Sequence, residues 1–163
     1  MMKGELALSA KSLCLSVRAA VIAVAMCGIV LCVFVLPFRG AQIADFGAAG
    51  NLAWLWFLWI SSIPCYAILV LVWLVSGAIK LEQAFTPLVA KWIKYASLLL
   101  LADAVFFFAG NIALALMGMH RPVLLMIAMI VDIFAISLAF LSAVISRFIM
   151  KAAILQDESE GTI

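Results

Sequence analysis

Four long stretches of this chain carry almost no charge, and each is long enough to cross a lipid bilayer. Val17 to Phe38 is interrupted only by Arg18, and Phe46 to Ile79 has no group that charges at neutral pH. Tyr95 to Met119 holds a single acid, Asp103, and Pro122 to Ser146 holds a single acid, Asp132. A helix rises about 1.5 Å per residue and the hydrocarbon layer is about 30 Å thick, so roughly 20 apolar residues make a span. All four stretches meet that length. Of the 163 residues 69% are hydrophobic and 11% charged, where a water-soluble domain has about a quarter charged. Spans over residues 17–38, 52–79, 95–119 and 122–146, with a tail over 147–163, absorb the chain as one domain. The expected fold is all-α: an integral membrane four-helix up-down bundle.

Basic residues set the expected orientation. Lys3, Lys11 and Arg18 precede or open the first span, Lys80, Lys91 and Lys94 lie in the central connection, and Arg147 and Lys151 follow the fourth span. Only Arg39 and Arg121 fall on the other side. Both termini are therefore expected in the cytoplasm, in a bacterial cell (inner or plasma) membrane crossed several times. The apolar run after the basic start is longer than a signal-peptide core and no good A-x-A site follows it, so it reads as an uncleaved anchor. A net charge of +2 gives no reason to expect direct nucleic-acid binding.

Local signals refine the layout. Gly40, Gly47 and Gly50 point to an external loop, Asn51 to a helix cap, and Leu52 to the start of the second span. Trp54, Trp56 and Trp59 would then mark the outer boundary with hydrated indole N–H groups, and Trp73 and Trp92 the inner one. Pro64 removes a backbone donor in mid-span, which a hydroxyl or a neighbouring helix must offset. Thr86-Pro87 reads as a cap followed by a first-turn proline, opening a long third helix whose Lys91 and Lys94 reach lipid phosphates. The fourth helix is expected to run past the membrane through Arg147, Phe148, Lys151, Ala152 and Leu155 to the acids Asp157, Glu158 and Glu160.

Three polar residues inside spans need an explanation. A charged acid at the bilayer centre costs at least about 2.5 kcal/mol. Measured along the helices from Lys94 and Arg147, Asp103 lies roughly 13 Å and Asp132 roughly 22 Å from the cytoplasmic end. That stagger argues against a carboxylate pair sharing one proton. Asn111, about 25 Å along its helix, is the better partner for Asp132, through an Asn–Asp hydrogen bond between neighbouring helices. Asp132, Ala135, Ala139, Ser142, Ala143 and Ser146 share a stripe of small residues, which marks a packing face. Asp103 is flanked by Phe106, Phe107 and Phe108, so its partner should come from another helix, with Ser61, Ser62 or Ser142 able to supply one. The cysteines Cys14, Cys27, Cys32 and Cys65 form no C-x-x-C and read as small apolar residues. No His/Cys cluster has metal spacing, His120-Arg121-Pro122 is a tight external turn, and no catalytic constellation can be assembled, so neither an enzyme nor a cofactor is expected.

Two segments carry a family resemblance. One is Ala84-Phe85-Thr86-Pro87 followed by Lys91-Trp92-Ile93-Lys94; the other is the C-terminal run from Lys151 to Ile163. In both the chain resembles the bacterial domain-of-unknown-function 2975 family of small four-span membrane proteins. Members have a short polar turn with a Phe and then a basic helix start, and they end in an acidic stretch reading Glu-Asn-Asp-Leu-Thr-Ile. This chain keeps the acids, Thr162 and Ile163, and departs at Ser159 and Gly161. The resemblance implies four membrane helices, and an association with small helix-turn-helix regulators encoded nearby. By analogy it implies a protein that holds or controls such a regulator. Lys91, Lys94, Asp157, Glu158, Glu160, Thr162 and Ile163 are then the candidate partner-binding residues. Two other functions fit the same sequence: a small oligomeric transporter or proton-coupled carrier using Asp103 and Asp132, and a structural subunit of a membrane complex.

Overall fold

The computed structural model describes residues 2–40, 47–80, 85–119 and 122–160. Every described element is helical, as a chain in hydrocarbon requires, because only a helix or a closed barrel satisfies its own backbone groups there. Helix α1 spans Met2–Val30 and continues as a π-helical run, Leu31–Gly40; α2 is Gly47–Lys80, α3 is Pro87–Leu116 and α4 is Pro122–Glu160. Four stretches are long and apolar enough to cross a membrane: Cys14–Phe34, Leu52–Ile79, Pro87–Leu116 and Pro122–Glu158. The protein is a multi-pass membrane protein.

Side-chain contacts fix the helix directions. Ser97 donates to the carbonyl of Ala139 at 2.8 Å and Ser146 to that of Ala90 at 2.7 Å, so α4 descends as α3 rises. Phe57 meets Phe106 while Cys65 reaches Asp103, and Trp59 reaches Cys32 while Ser76 meets Arg18, so α2 runs antiparallel to both α3 and α1. The start of α1, the α2–α3 connection and the end of α4 thus share one end of the molecule. The helices pack in chain order, α1 on α2, α2 on α3 and α3 on α4, with no substantial α1–α4 contact among the described residues.

The α3–α4 seam is built from small residues at intervals of seven. Ala90, Ser97, Ala104 and Asn111 on α3, and Asp132, Ala139, Ser146 and Ala153 on α4, are all buried. Lipid tails are as apolar as leucine, so helices in a membrane gain by close van der Waals approach, which small side chains permit. A strict seven-residue repeat keeps that seam in contact along a left-handed crossing. The packing stripe read on α4 is thus the face that meets α3.

The helix ends follow local chemistry. Thr86 is extended (φ −115°, ψ 152°) and its Oγ1 accepts from the Val89 N–H at 3.4 Å, with Pro87 in the first turn, as the sequence indicates. α3 stops at a left-handed Gly118 (φ 71°), where the N–H groups of Met119 and Gly118 return to the carbonyls of Leu114 and Ala115. That paired return is the usual glycine stop of a helix. One expectation fails: α2 begins at Gly47, so Asn51 lies inside the helix and does not cap it. The loop glycine Gly47 is itself helical, because an apolar helix reaching the interface gains more from closing its backbone bonds than glycine loses in entropy.

The tryptophan expectation is also corrected. Trp56 and Trp59 do cluster, edge to face at 5.4 Å, but the Trp59 indole N–H is not left to water. It donates to the Cys32 carbonyl at 3.1 Å. The reason is Pro37. In a π-helical register the N–H of residue 37 would bond the carbonyl of residue 32, and proline has no N–H. Trp59 fills the vacancy from the neighbouring helix. Trp59→Phe is therefore expected to destabilise the α1–α2 pair by about 1 kcal/mol, read as a lowered unfolding midpoint in detergent. The Pro64 vacancy is less directly met: α2 runs through it, and Ser62 donates to the Trp59 carbonyl at 2.7 Å in the preceding turn. At the inner end Arg18 lies over the Trp73 ring at 4.7 Å and donates to Ser76 at 3.3 Å, so its charge is held at the α1–α2 seam.

Candidate functional site

Two places gather polar chemistry. The first is a groove at the end of the molecule where α3 begins and α4 runs out. Its walls are Phe85, Thr86 and Pro87 on one side and Ala153, Ile154, Gln156, Asp157 and Glu158 on the other, enclosing about 460 Å³. The capped start of α3 holds the first wall, and the unbroken run of α4 past the apolar segment supplies the second. Phe85 and Ile154 are exposed apolar side chains at this polar end, 59% and 50% accessible. Asp157 is exposed beside them. Ala153, the last small residue of the α3–α4 seam, forms the floor, so seam packing sets the groove's width.

Not every candidate partner-binding residue enters this groove. Lys91 and Lys94 are exposed on α3 but lie above it: Ser146 is level with Ala90, which leaves the acids beyond Ala153 well below both lysines. Arg147 and Lys151 line a separate surface hollow with Val144 and Phe148. Glu160 is in the last turn of α4 and its side chain is outside the described set, as are Thr162 and Ile163. The contribution of Phe85 and Ile154 was not drawn from the sequence. A Phe in a turn and an apolar residue two positions before a run of acids are the signals that could have found them.

The second place is a polar layer in mid-membrane. Asp103 is held from α2: Ser61 Oγ donates to Oδ1 at 2.9 Å and Cys65 Sγ to Oδ2 at 3.3 Å. One of the three expected serines is thus the partner; Ser62 serves its own helix and Ser142 faces a small cavity between α2, α3 and α4. Cys65 is thus a donor and not an apolar filler, one helical turn from Ser61 on the same face. All four cysteines are free, and of the four only Cys14 is buried.

The partnership expected for Asp132 is not formed. The Asn111 amide donates to the carbonyl of Phe107 in its own helix at 2.7 Å, and Oδ2 of Asp132 has no hydrogen-bond partner among the described residues. The register explains the failure. Carrying the Ser97–Ala139 pairing one heptad on places Asp132 opposite Ala104, beside Asp103, and far below Asn111. The stagger inferred from sequence disappears with it. Lys94 and Arg147 are not level: Arg147 follows Ser146, which meets Ala90, so its origin lies about 7.5 Å nearer the helix start. By that register the two carboxyls share one depth.

Ser61→Ala would strip Asp103 of its hydroxyl donor and is expected to cost about 1–2 kcal/mol. Ser62→Ala, which removes only a bond within its own helix, should stay within about 0.5 kcal/mol. Unfolding midpoints in one detergent compare the pair.

No curated protein and no solved structure matches this chain. The model of one family matches residues 14–163, from the first span onward, and that family is described as a protein of unknown function (DUF2975). Its reach takes in both the groove segments and the polar layer, and the chain belongs to the DUF2975 family.

Proposed function

We propose that this protein is a non-enzymatic docking protein of a bacterial inner or plasma membrane, which holds a cytoplasmic protein in the groove between the start of α3 and the end of α4. The single observation that carries this reading is the meeting of two segments nearly seventy residues apart in sequence, Phe85–Pro87 and Ala153–Glu158, around one cleft. The positive-inside bias supports placing that end in the cytoplasm. The chemistry of the cleft selects the occupant. Exposed Phe85 and Ile154 call for an apolar anchor, and Asp157 calls for a basic residue beside it. A basic amphipathic segment of a cytoplasmic protein meets both demands, and a small helix-turn-helix regulator is the kind of partner the family association suggests.

A photo-crosslinking amino acid at Phe85 or Ile154, in cells, tests the reading. The expected result is a crosslink to one cytoplasmic protein through a peptide carrying Lys or Arg, lost in an Asp157→Lys chain. A crosslinker at Phe140, which is exposed on the apolar part of α4, is the control and should capture lipid or membrane protein only. Capture of lipid alone from the groove positions would overturn the proposal.

A further inference from the structure

Asp132 is the acid whose surroundings do not account for it. It is 4% exposed, on the α3–α4 seam, and among the described residues Oδ2 faces no donor. Asp103, at the same depth, takes the donors that the layer has, the Ser61 hydroxyl and the Cys65 thiol. Two ionised carboxylates here would put two negative charges at one level in hydrocarbon. Among the described residues no cation answers them: Arg18, Lys91, Lys94, Arg147 and Lys151 all lie toward the end that holds Pro87. A buried charge without a partner is costly enough that the group gives up its charge instead.

What could neutralise the layer is limited by its ligand set. A hard metal cation takes about six oxygen ligands. The described layer offers two carboxyls and one hydroxyl whose proton already points at Asp103. A proton needs one lone pair and no cage.

We propose that the Asp103–Asp132 layer is a proton-binding site, in which Asp103 is held by Ser61 and Cys65 and Asp132 takes up and releases one proton. On uptake an Asp132 carboxylate oxygen forms an O–H bond to a proton from the aqueous phase, and release reverses it. The layer changes by one charge, and no electron moves. The groups that bear on this equilibrium are few. From α3 it is Asp103, and from α2 it is Cys65, through its bond to Asp103. Among the described residues α1 has no substantial packing on α4, and α4 itself adds no other titratable side chain at this level. The inference is independent of the docking groove, and either can fail alone.

Infrared spectroscopy of the full chain in lipid nanodiscs tests it. At neutral pH the wild type should show the carbonyl band of a protonated carboxylic acid, which shifts in D2O and fades as pH rises. Asp132→Asn should lose the band and Asp103→Asn should keep it. If Asp132→Asn does not fold, Asp132→Glu decides the matter: labelling aspartate with carbon-13 should shift the wild-type band and leave the variant's band unmoved. No such band at any pH where the protein is folded would overturn the proposal. So would a band that survives at the aspartate position in Asp132→Asn or Asp132→Glu. Loss of the band on adding sodium chloride at constant pH would also overturn it, by showing that the site takes a metal ion.

Discussion

Gly110→Ala is expected to lower the stability of the α2–α3 pair by about 2 kcal/mol, although alanine is the better helix former. A Cβ built on Gly110 overlaps the Phe57 ring, lying 2.7 Å from Cζ and 2.8 Å from Cδ2. That ring cannot simply turn away. It stacks on Phe107 at 5.5 Å and 17° and lies tilted on Phe106 at 5.6 Å, so its position is set from the same helix that bears the glycine. Propensity alone would favour the alanine by about 0.5–1 kcal/mol. Overpacking a fixed ring costs about 1–3 kcal/mol, occasionally more, and wins. The check is a double-mutant cycle on unfolding free energy. Phe57→Leu alone should cost about 1 kcal/mol through lost ring contacts. Added to Gly110→Ala it should restore most of the loss, giving a coupling of opposite sign to the single effects. Simple additivity would show that Phe57 and Gly110 do not meet. By contrast a Cβ on Gly28 meets the end of the Tyr66 side chain, its hydroxyl at 2.8 Å and Cζ at 3.5 Å, which can swing, so Gly28→Ala should be mild.

That contact shows where the sequence is readable and where it is not. Apolar runs, caps and proline positions act within one helix, and they place the spans, the Thr86 cap and the long fourth helix directly. The stripe Asp132, Ala139, Ser146 also declares itself, because its period is a property of α4 alone. The pairing of Asp103 with Ser61 required knowing which helices are neighbours, and a choice among three serines was as far as composition could go. The error over Asp132 came from a ruler. Depth was measured from basic residues taken to be level, and a charge at a helix end can lie a turn or more from its counterpart on the next helix because long side chains reach the interface from different depths. One hydrogen bond, Ser146 to Ala90, replaces that ruler and moves Asp132 from Asn111 to Asp103. The Trp59–Cys32 contact was hidden for a further reason. It depends on α1 loosening into a π-helical run before Pro37, and neither a wide register nor its orphan carbonyl has a pattern in the residues.

The largest loss is expected where the α3–α4 seam is tightest. Ala139 is 2% exposed, opposite Ser97, and its carbonyl accepts the Ser97 hydroxyl at 2.8 Å. Ala139→Leu puts an isobutyl group where two backbones approach, with no hydrophobic gain to offset it, since the displaced helix would face lipid as apolar as the new side chain. The helices must part, and the Ser97 bond is lost with them. Overpacking and the abandoned hydrogen bond together should cost about 3 kcal/mol. The same change at Ala109, exposed on α3, gives a leucine facing lipid and should stay within about 0.5 kcal/mol. Steric-trapping measurements of both variants in bicelles would read the difference, and equal losses would mean that α3 and α4 do not meet along this face. The effect should also reach the groove. Ala139, Ser146 and Ala153 lie on one heptad line, and Ala153 floors the cleft against Pro87. A helix displaced at Ala139 therefore carries Ile154 and Asp157 away from Phe85. If the groove is the docking site, the crosslink from Phe85 should fall together with stability in Ala139→Leu and survive in Ala109→Leu. Retention of the crosslink in a chain whose seam has opened would show that the partner reads one wall alone, and would move the recognition surface to the tail of α4.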